Sequence, residues 1–166
     1  MINLKKLHHS AYRCIDSEGT RKFYEDFLGL PLLHAFEISE TMTGKKTKVL
    51  HTFYSLADGS CLAFFEVMNK PLKYKRWHDF DLHIALEVEE DVLLNYYEKG
   101  KNSNIETRGI SDHGFIKSIY FRDPNGYVIE LTSPIKSYKK NHKPKAKDIL
   151  ENDHYGLDNV KDRILE

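Results

Sequence analysis

Apolar positions along the first 134 residues follow two periods, which predict short strands separated by two helices. Residues 20–28 carry Phe23, Tyr24, Phe27 and Leu28 at helical spacing, and Gly29 stands where the chain would leave the helix. Residues 91–99 repeat the pattern with Val92, Leu93, Tyr96 and Tyr97, and Gly100 is the expected stop. Two equivalent helices are therefore expected.

An internal repeat organises these elements. Residues 9–16 can be laid on residues 83–90, since both runs alternate like strands, start at a histidine and end at an acid. Each run precedes a predicted helix, and three strand candidates follow: residues 30–36, 48–54 and 61–68 in the first copy, and 104–108, 115–121 and 127–132 in the second. The order is βαβββ twice. We predict an α+β fold in which two modules, residues 3–70 and 80–134 of a domain spanning 1–135, form a curved mixed sheet.

Composition narrows the choice of partners. A chain of 166 residues with 40% hydrophobic and 12% aromatic residues can bury one compact core. Its 25 basic and 25 acidic residues cancel and are interspersed, which argues against nucleic acid or an anionic membrane and favours a small molecule. The sequence shows neither a secretory leader nor an apolar run of membrane-spanning length, so a cytoplasmic protein is expected. Cys14 and Cys61 lie in apolar stretches and are expected to be buried free thiols.

Candidate chemistry occupies matching places in the two copies. His9 and His83 open the first strand of each module, and Glu66 and Glu130 lie on the last. A lone histidine or glutamate is usually a core or rim residue, but recurrence in a repeat favours a shared role. Imidazole and carboxylate are ligands of Zn, Ni, Mn and Fe(II). The four residues are therefore candidate ligands of a divalent metal.

Four segments carry a resemblance to a known superfamily: Leu-His-His-Ser-Ala-Tyr at 7–12, Phe-Tyr-Glu-Asp-Phe-Leu-Gly-Leu at 23–30, His83, and Asp-Pro-Asn-Gly-Tyr-Val-Ile-Glu at 123–130. Over residues 3–134 the chain resembles the vicinal oxygen chelate proteins, which include glyoxalases, bleomycin-resistance proteins and extradiol dioxygenases. In that superfamily the metal histidine begins the run that reaches an acid seven residues later, which selects His9 over His8.

A narrower resemblance concerns the extradiol dioxygenases. His113, Ile119-Tyr120, Asp123-Pro124, Gly126 and Glu130 match nearly all of their signature, which departs only at Ser111. The resemblance implies ring cleavage of a catechol-type diol with O2 on Fe(II), although Zn, Ni or Mn would also suit these ligands. It implies His9, His83 and Glu130 as metal ligands, Tyr120 as hydrogen-bond partner of a substrate oxygen, and His113 as proton donor or acceptor.

Glu66 keeps a second interpretation open. A His, Glu, His, Glu set resembles glyoxalase I, a Zn- or Ni-dependent lyase or isomerase of carbonyl substrates, and a metal-free drug-binding module is the third possibility. A homodimer is expected because exposed sheet edges favour association. His34, His51, His78, His142 and His154 have no equivalent in the repeat and receive no role. Phe64, Phe65, Tyr74, Trp77, Phe80 and Phe115 could form a ring-accepting pocket, although ordinary core is their commoner fate.

The C-terminal tail is interpreted separately from the two modules. Residues 136–147 form a lysine-rich linker, and residues 148–166 have a helical pattern. The last twenty or so residues, including Asp-His-Tyr-Gly-Leu at 153–157, resemble a segment of the Lon-type proteases. Since the sequence contains no Gly-x-x-x-x-Gly-Lys-Ser/Thr loop, we infer no ATPase activity from this segment and interpret it as an appended helix.

Overall fold

A computed structural model describes residues 3–135. Eight strands and two helices follow the predicted order, in two four-stranded mixed sheets. The α+β prediction is confirmed, with two separate sheets in place of one. The first module contains β1 (His9–Cys14), α1 (Ser17–Arg21, continued by a π-helix over Lys22–Phe27), β2 (Leu32–Glu40), β3 (Lys46–Ser55) and β4 (Cys61–Val67). The second contains β5 (His83–Glu87), α2 (Glu90–Asn102), β6 (Thr107–Asp112), β7 (Ile116–Arg122) and β8 (Val128–Pro134). The predicted linker and tail, residues 136–166, lie outside the described residues.

Both sheets have the same topology. The strand order is β1-β4-β3-β2 in the first module and β5-β8-β7-β6 in the second. In each sheet the first and last strands of the module pair in parallel at one side, and the remaining pairs are antiparallel. Because the registers also correspond, a residue in one module has a definable structural equivalent in the other.

The two glycines that were predicted to end the helices have different roles in the structure. Gly29 leaves the first helix with φ of 72°, as predicted for a residue that must adopt the left-handed conformation. Gly100 does not end the second helix, and this prediction was wrong, because α2 continues to Asn102. A Cβ at Gly100 would lie 2.5 Å from the Phe121 ring, so the glycine permits close packing of α2 on the sheet.

One hydrophobic core joins the modules. It contains side chains from both sheets and both helices, including Tyr24, Phe27 and Phe64 of the first module and Leu93 and Phe121 of the second. In both sheets the strand residues that enter this core alternate with residues on the opposite face. Each sheet therefore has a helix-covered inner face and an outer face directed away from the shared core.

Element boundaries shifted most at β6, predicted at residues 104–108 and found at Thr107–Asp112. The connection from α2 takes up the difference, with Asn104 at a positive φ of 54°.

Cys14 and Cys61 are buried free thiols, as expected. Burial raises the pKa of Cys14 to about 11, which keeps that thiol protonated and poorly nucleophilic near neutral pH. Within residues 3–135, no helix combines the length and apolarity that crossing a membrane requires.

Candidate metal centre

The outer face of the second sheet carries three of the predicted site residues on adjacent strands. Glu130 of β8 is the register partner of Ala85 on β5 and of Tyr120 on β7, and His83 is two residues before Ala85. Since side chains two residues apart share a face, His83, Glu130 and Tyr120 project to the same side. The neighbours Ile84, Ile129 and Ile119 enter the core.

His83 and Glu130 form the centre of this face. The His83 Nε2 and Glu130 Oε2 atoms are 3.3 Å apart, with the carboxylate buried and the imidazole half exposed. His83 Nδ1 lies 2.8 Å from the carbonyl oxygen of Asp79. A carbonyl only accepts, so Nδ1 donates and the Nε2 of a neutral ring directs its lone pair toward the carboxylate.

This arrangement suits a bound cation. Two electron-rich atoms facing each other need a proton or a cation between them, and two ligands of one divalent metal lie about 3 Å apart when each bond is about 2.1 Å. A ligating histidine that donates its other N–H to a backbone carbonyl is also the usual way in which proteins orient such a ring. His83 and Glu130 therefore fit as two ligands of a divalent metal.

Tyr120 and His113 stand beside the pair. The Tyr120 hydroxyl lies 3.0 Å from His113 Nε2, although His113 belongs to the exposed turn between β6 and β7. Burial, followed by the negative charge of Glu130, raises the pKa of Tyr120. The phenol is therefore protonated near neutral pH and can donate a hydrogen bond to an oxygen atom of a bound molecule. His113 is close enough to the Tyr120 hydroxyl to exchange a proton with it.

Two arginines and one aspartate lie next to these residues. Arg108, the register partner of Tyr120 on β6, lies with its guanidinium 5.5 Å from the Tyr120 ring centre. Its Nη1 forms a 2.7 Å ion pair with Asp79, the residue whose carbonyl orients His83. Arg122 is buried and donates to the carbonyl oxygens of Trp77 and Gly126, both at 2.9 Å. Sequence reasoning missed Asp79 and both arginines because their positions depend on the connection between the modules.

His9 lies in the other sheet. It opens β1 as predicted, is exposed, and projects from the outer face of the first module. Its Nδ1 is 2.8 Å from His8 Nδ1, and its ring packs edge-on against Phe53 at 5.4 Å. Among residues 3–135, no three His, Cys, Asp or Glu side chains come together as a metal-binding group. The structure thus unites His83 with Glu130 and leaves His9 on its own module.

Glu66 is not placed with His9. Its register partner on β1 is Cys14, so it projects to the inner face, where Oε2 accepts a 2.9 Å hydrogen bond from Ser17 N at the start of α1. The structural equivalent of Glu130 is Ala63, which pairs with Ala11 and Phe53 as Glu130 pairs with Ala85 and Tyr120. The expectation of symmetric carboxylates was wrong because it ignored register.

A sequence signal for this was available. Glu130 lies four residues after the turn glycine Gly126, and four residues after the corresponding Gly59 is Ala63. Glu66 is seven residues after Gly59 and so falls on the other face. A four-ligand site of the glyoxalase I type would need a carboxylate where Ala63 stands.

The Asp-Pro-Asn-Gly segment has a structural role. Asp123 accepts from the Tyr24 hydroxyl at 3.0 Å, and Asn125 accepts from Ile15 N at 2.8 Å, so both side chains join the two modules. Gly126 has φ of 92°, and a Cβ there would lie 2.0 Å from the carbonyl oxygen of Lys75. This part of the signature therefore stabilises the contact between the two modules.

An apolar cavity of about 220 Å³ lies away from this centre. Leu28, Leu86 and Tyr96 are among its lining residues, on the side of the molecule that carries α2. Its walls offer few polar groups, and none of the proposed ligands reaches it. The cavity therefore lies between the modules, and the candidate ligands His83 and Glu130 are not among its lining residues.

Comparison with known proteins identifies the family. The model of the Glyoxalase/Bleomycin resistance protein/Dioxygenase superfamily matches residues 6–131. The chain belongs to this superfamily, as its paired βαβββ modules indicate.

Individual relatives are similar to this chain over most of its length. The metallothiol transferase FosB of Staphylococcus saprophyticus is 27% identical over 153 residues, covering 87% of this chain and 89% of that protein. A crystal structure of a glyoxalase/dioxygenase from Nostoc punctiforme shares the fold with a TM-score of 0.60 at 24% identity, covering 81% of this chain and 94% of its own. A mutant of the fosfomycin resistance protein FosX from Listeria monocytogenes, crystallised with Mn(II) and 1S,2S-dihydroxypropylphosphonic acid, aligns with a TM-score of 0.58 at 19% identity, covering 81% and 96%.

Proposed function

We propose that this protein is a metal-dependent enzyme that acts on a small substrate bound through its oxygen atoms. The observation that supports this proposal most directly is the 3.3 Å distance between His83 Nε2 and Glu130 Oε2. The other ring nitrogen of His83 is oriented by the Asp79 carbonyl. A divalent cation held there would act as a Lewis acid that polarises a substrate oxygen. Manganese in the related FosX structure supports a divalent metal and does not favour iron in particular.

The third ligand in this proposal is His9 of a second copy of the chain. The inner faces of the two sheets meet in one core, so the outer faces that carry His9 and His83 point away from each other within a chain. A two-fold dimer can bring the first module of one protomer against the second module of its partner, which completes two equivalent sites. The exposed position of His9 is consistent with this arrangement.

The reaction that we favour is transfer of a nucleophile, such as a thiol, to a small electrophile. Two sequence relatives are metallothiol transferases. In addition of a thiol to an epoxide, the carbon–sulfur bond forms as the carbon–oxygen bond breaks, and the thiol proton passes to the released oxygen. Tyr120 would orient that oxygen, and His113, 3.0 Å from the Tyr120 hydroxyl, would move the proton. Arg108 places a cation on the same face for an anionic group of the substrate.

Extradiol cleavage of a catechol with O2 is the second candidate. The hydrogen bond between His113 and Tyr120 favours it, since these two residues belong to the dioxygenase signature and meet beside Glu130. The glyoxalase I alternative loses its support, because Ala63 occupies the position where a fourth ligand would lie.

Subunit complementation tests the shared site. His9→Ala and His83→Ala should each be inactive alone, whereas a mixed dimer retains one site built from the intact His9 of one chain and the intact His83 of the other. Random re-assortment of equal amounts should restore about a quarter of wild-type activity, since half of the dimers are mixed and each has one of two sites. If mixing restores nothing while both variants still dimerise, the shared site is wrong.

Substrate tests distinguish the two reactions. Protein loaded with Mn(II) is assayed with fosfomycin and a thiol panel by mass spectrometry, and protein loaded anaerobically with Fe(II) is assayed with a catechol panel at an oxygen electrode. Thiol adducts without oxygen uptake would support group transfer, and stoichiometric oxygen uptake would support ring cleavage. A dimer that binds no divalent metal would contradict both and favour the non-enzymatic binder.

A further inference from the structure

The bridging segment, by which we mean residues 68–82 between β4 and β5, packs against the turn between β7 and β8. Trp77 N donates a 3.2 Å hydrogen bond to the carbonyl oxygen of Gly126. The Trp77 ring also stacks on that of Tyr127, with ring centres 6.4 Å apart and planes at 18°. The segment that leads to His83 is therefore held against the turn from which β8, the strand of Glu130, begins.

Arg122 joins these two pieces of chain. It is the last residue of β7, two residues after Tyr120, so its side chain projects to the same outer face. That side chain is nevertheless only 7% exposed, since the bridging segment lies against it. Its Nη1 donates to the carbonyl oxygens of Trp77 and Gly126, both at 2.9 Å. A single guanidinium nitrogen thus links the bridging segment to the β8 turn.

The other guanidinium nitrogens of Arg122 reach two carboxylates. Nη2 lies 3.5 Å from Asp79 Oδ1, and Nε lies 3.4 Å from Glu106 Oε2. Arg108 of β6 binds the second oxygen of Asp79 at 2.7 Å, so two strands hold this carboxylate. Because the backbone carbonyl of Asp79 is 2.8 Å from His83 Nδ1, the contacts that fix Asp79 also fix the plane of the His83 ring.

We propose that Arg122 is a positioning residue for the metal centre. It would act on His83 through Asp79 and on Glu130 through the turn at Gly126, and not by binding the metal. A guanidinium suits this task because it offers several donors in one rigid plane, whereas a lysine offers a single point charge. This inference rests on the proposed function, since it assigns Arg122 to the site formed by His83 and Glu130.

Metal affinity tests the proposal. Arg122→Met removes every donor from a side chain of similar length, and we expect the Kd for Mn(II), measured by calorimetry on the folded protein, to rise about 10- to 100-fold. Arg122→Lys keeps the charge without the planar donors and should raise the Kd by less. Asp79→Asn keeps the backbone carbonyl but loses the charge that both arginines bind, and it should raise the Kd about tenfold. This variant serves as the test if Arg122→Met does not fold.

Arg21→Met is the matched control. Arg21 lies in the first module, and it also binds three carboxylates, those of Glu18, Glu25 and Asp26. The Arg21→Met protein should keep the wild-type Kd for Mn(II), whatever its loss in Tm.

The orientation of His83 also has a signature that needs no metal. In metal-free protein carrying isotope-labelled histidine, an Nδ1–H held by the Asp79 carbonyl should give a sharp proton NMR signal, because the hydrogen bond slows its exchange with water. His83→Gln identifies this signal. Arg122→Met should broaden or remove it, and Arg21→Met should leave it unchanged.

The possible failures are distinguishable. A wild-type protein that binds no Mn(II) contradicts the proposed function. Normal Mn(II) binding by the wild type, together with an unchanged Kd and an unchanged His83 signal in Arg122→Met or Asp79→Asn, contradicts the positioning role alone. An equal rise in Kd for Arg21→Met and Arg122→Met would attribute the effect to overall stability and would also overturn the inference.

Discussion

The two modules of this protein have one backbone plan and two different outer faces. Strand order and register agree, yet side chains at equivalent positions have diverged into a polar face in the second module and an aromatic wall in the first. The aromatic wall consists of five residues on one face of β2, β3 and β4, namely His34, Phe36, His51, Phe53 and Phe65. The equivalent pairs, first module first, are His9 and His83, Ala63 and Glu130, Phe53 and Tyr120, His34 and Arg108, and His51 and Ser118. Among these five pairs, only the histidine that opens each module is the same residue in both.

The inner faces did not diverge in this way. Phe64 and Leu62 of the first sheet and Ile129 and Leu131 of the second all enter the shared core, where close packing restricts what a position accepts. Outer positions such as Tyr120 and Glu130 are not part of this core. A repeated fold can therefore keep two modules alike where they touch each other while their outer faces carry different side chains.

The largest test of this contrast removes the common histidine from the polar face. His83→Ala should lower bound metal from about one per chain to less than about 0.1 and activity by at least about 10³-fold, because only two of the three proposed ligands, Glu130 and the partner subunit's His9, would remain. Elemental analysis of the purified protein measures the first effect and the chosen assay the second. His78→Ala in the exposed loop is the control, and comparable metal in both variants would contradict the assignment.

The second-largest effect is expected when Ala63, the equivalent of Glu130, is replaced by glutamate. Ala63 is fully buried, so Ala63→Glu places an unpaired charge there and should lower the Tm of the metal-free protein by about 10 °C. Mn(II) should raise the Tm of this variant by more than it raises that of the wild type, because the new carboxylate lies beside the cation. Ala63→Gln has the same shape without the charge, and an equal rise in both variants would show that Ala63 does not face the metal.

The connection between the modules is the third target. Asn125→Ala leaves Ile15 N without its 2.8 Å acceptor and removes one donor from Asp123, which should cost about 2 kcal/mol of unfolding free energy. Urea denaturation measures the loss, and metal affinity of the folded protein should be unchanged. Asn102→Ala, at an exposed helix end, should be neutral. Equal stability of the two variants would remove the structural explanation of the Asp-Pro-Asn-Gly segment.

The smallest effect concerns the aromatic wall. Burial lowers the pKa of His51, whereas in the unfolded chain its pKa is near 6.5. The unfolded state therefore takes up the proton first, and stability falls as the pH drops through about 6.5 toward 5. His51→Phe should reduce the difference in Tm between pH 7.5 and pH 5 by about 2 °C. His34→Phe, at an exposed position of the wall, is the control and should leave that difference unchanged.

The sequence by itself determined the repeat, the α+β class, the order βαβββ in each module, and the two histidines that open the modules. These features follow from hydrophobic periodicity, turn residues and local motifs, which act over a few neighbouring residues. The second helix was recognised on the same grounds, but its end at Asn102 was not, because Gly100 serves contact with Phe121 rather than local backbone conformation.

Only the tertiary structure decided which side chains meet. It brought His113 to Tyr120, oriented His83 through Asp79, turned Glu66 toward α1 and left Ala63 in the place of a second carboxylate. The physical reason is strand register: a shift of one residue moves a side chain to the other face of a sheet, and register is fixed by pairing between strands that are distant in sequence. The division of the outer faces between the two modules follows from the same pairing together with the shared core, and this division separates His9 from His83 within one chain.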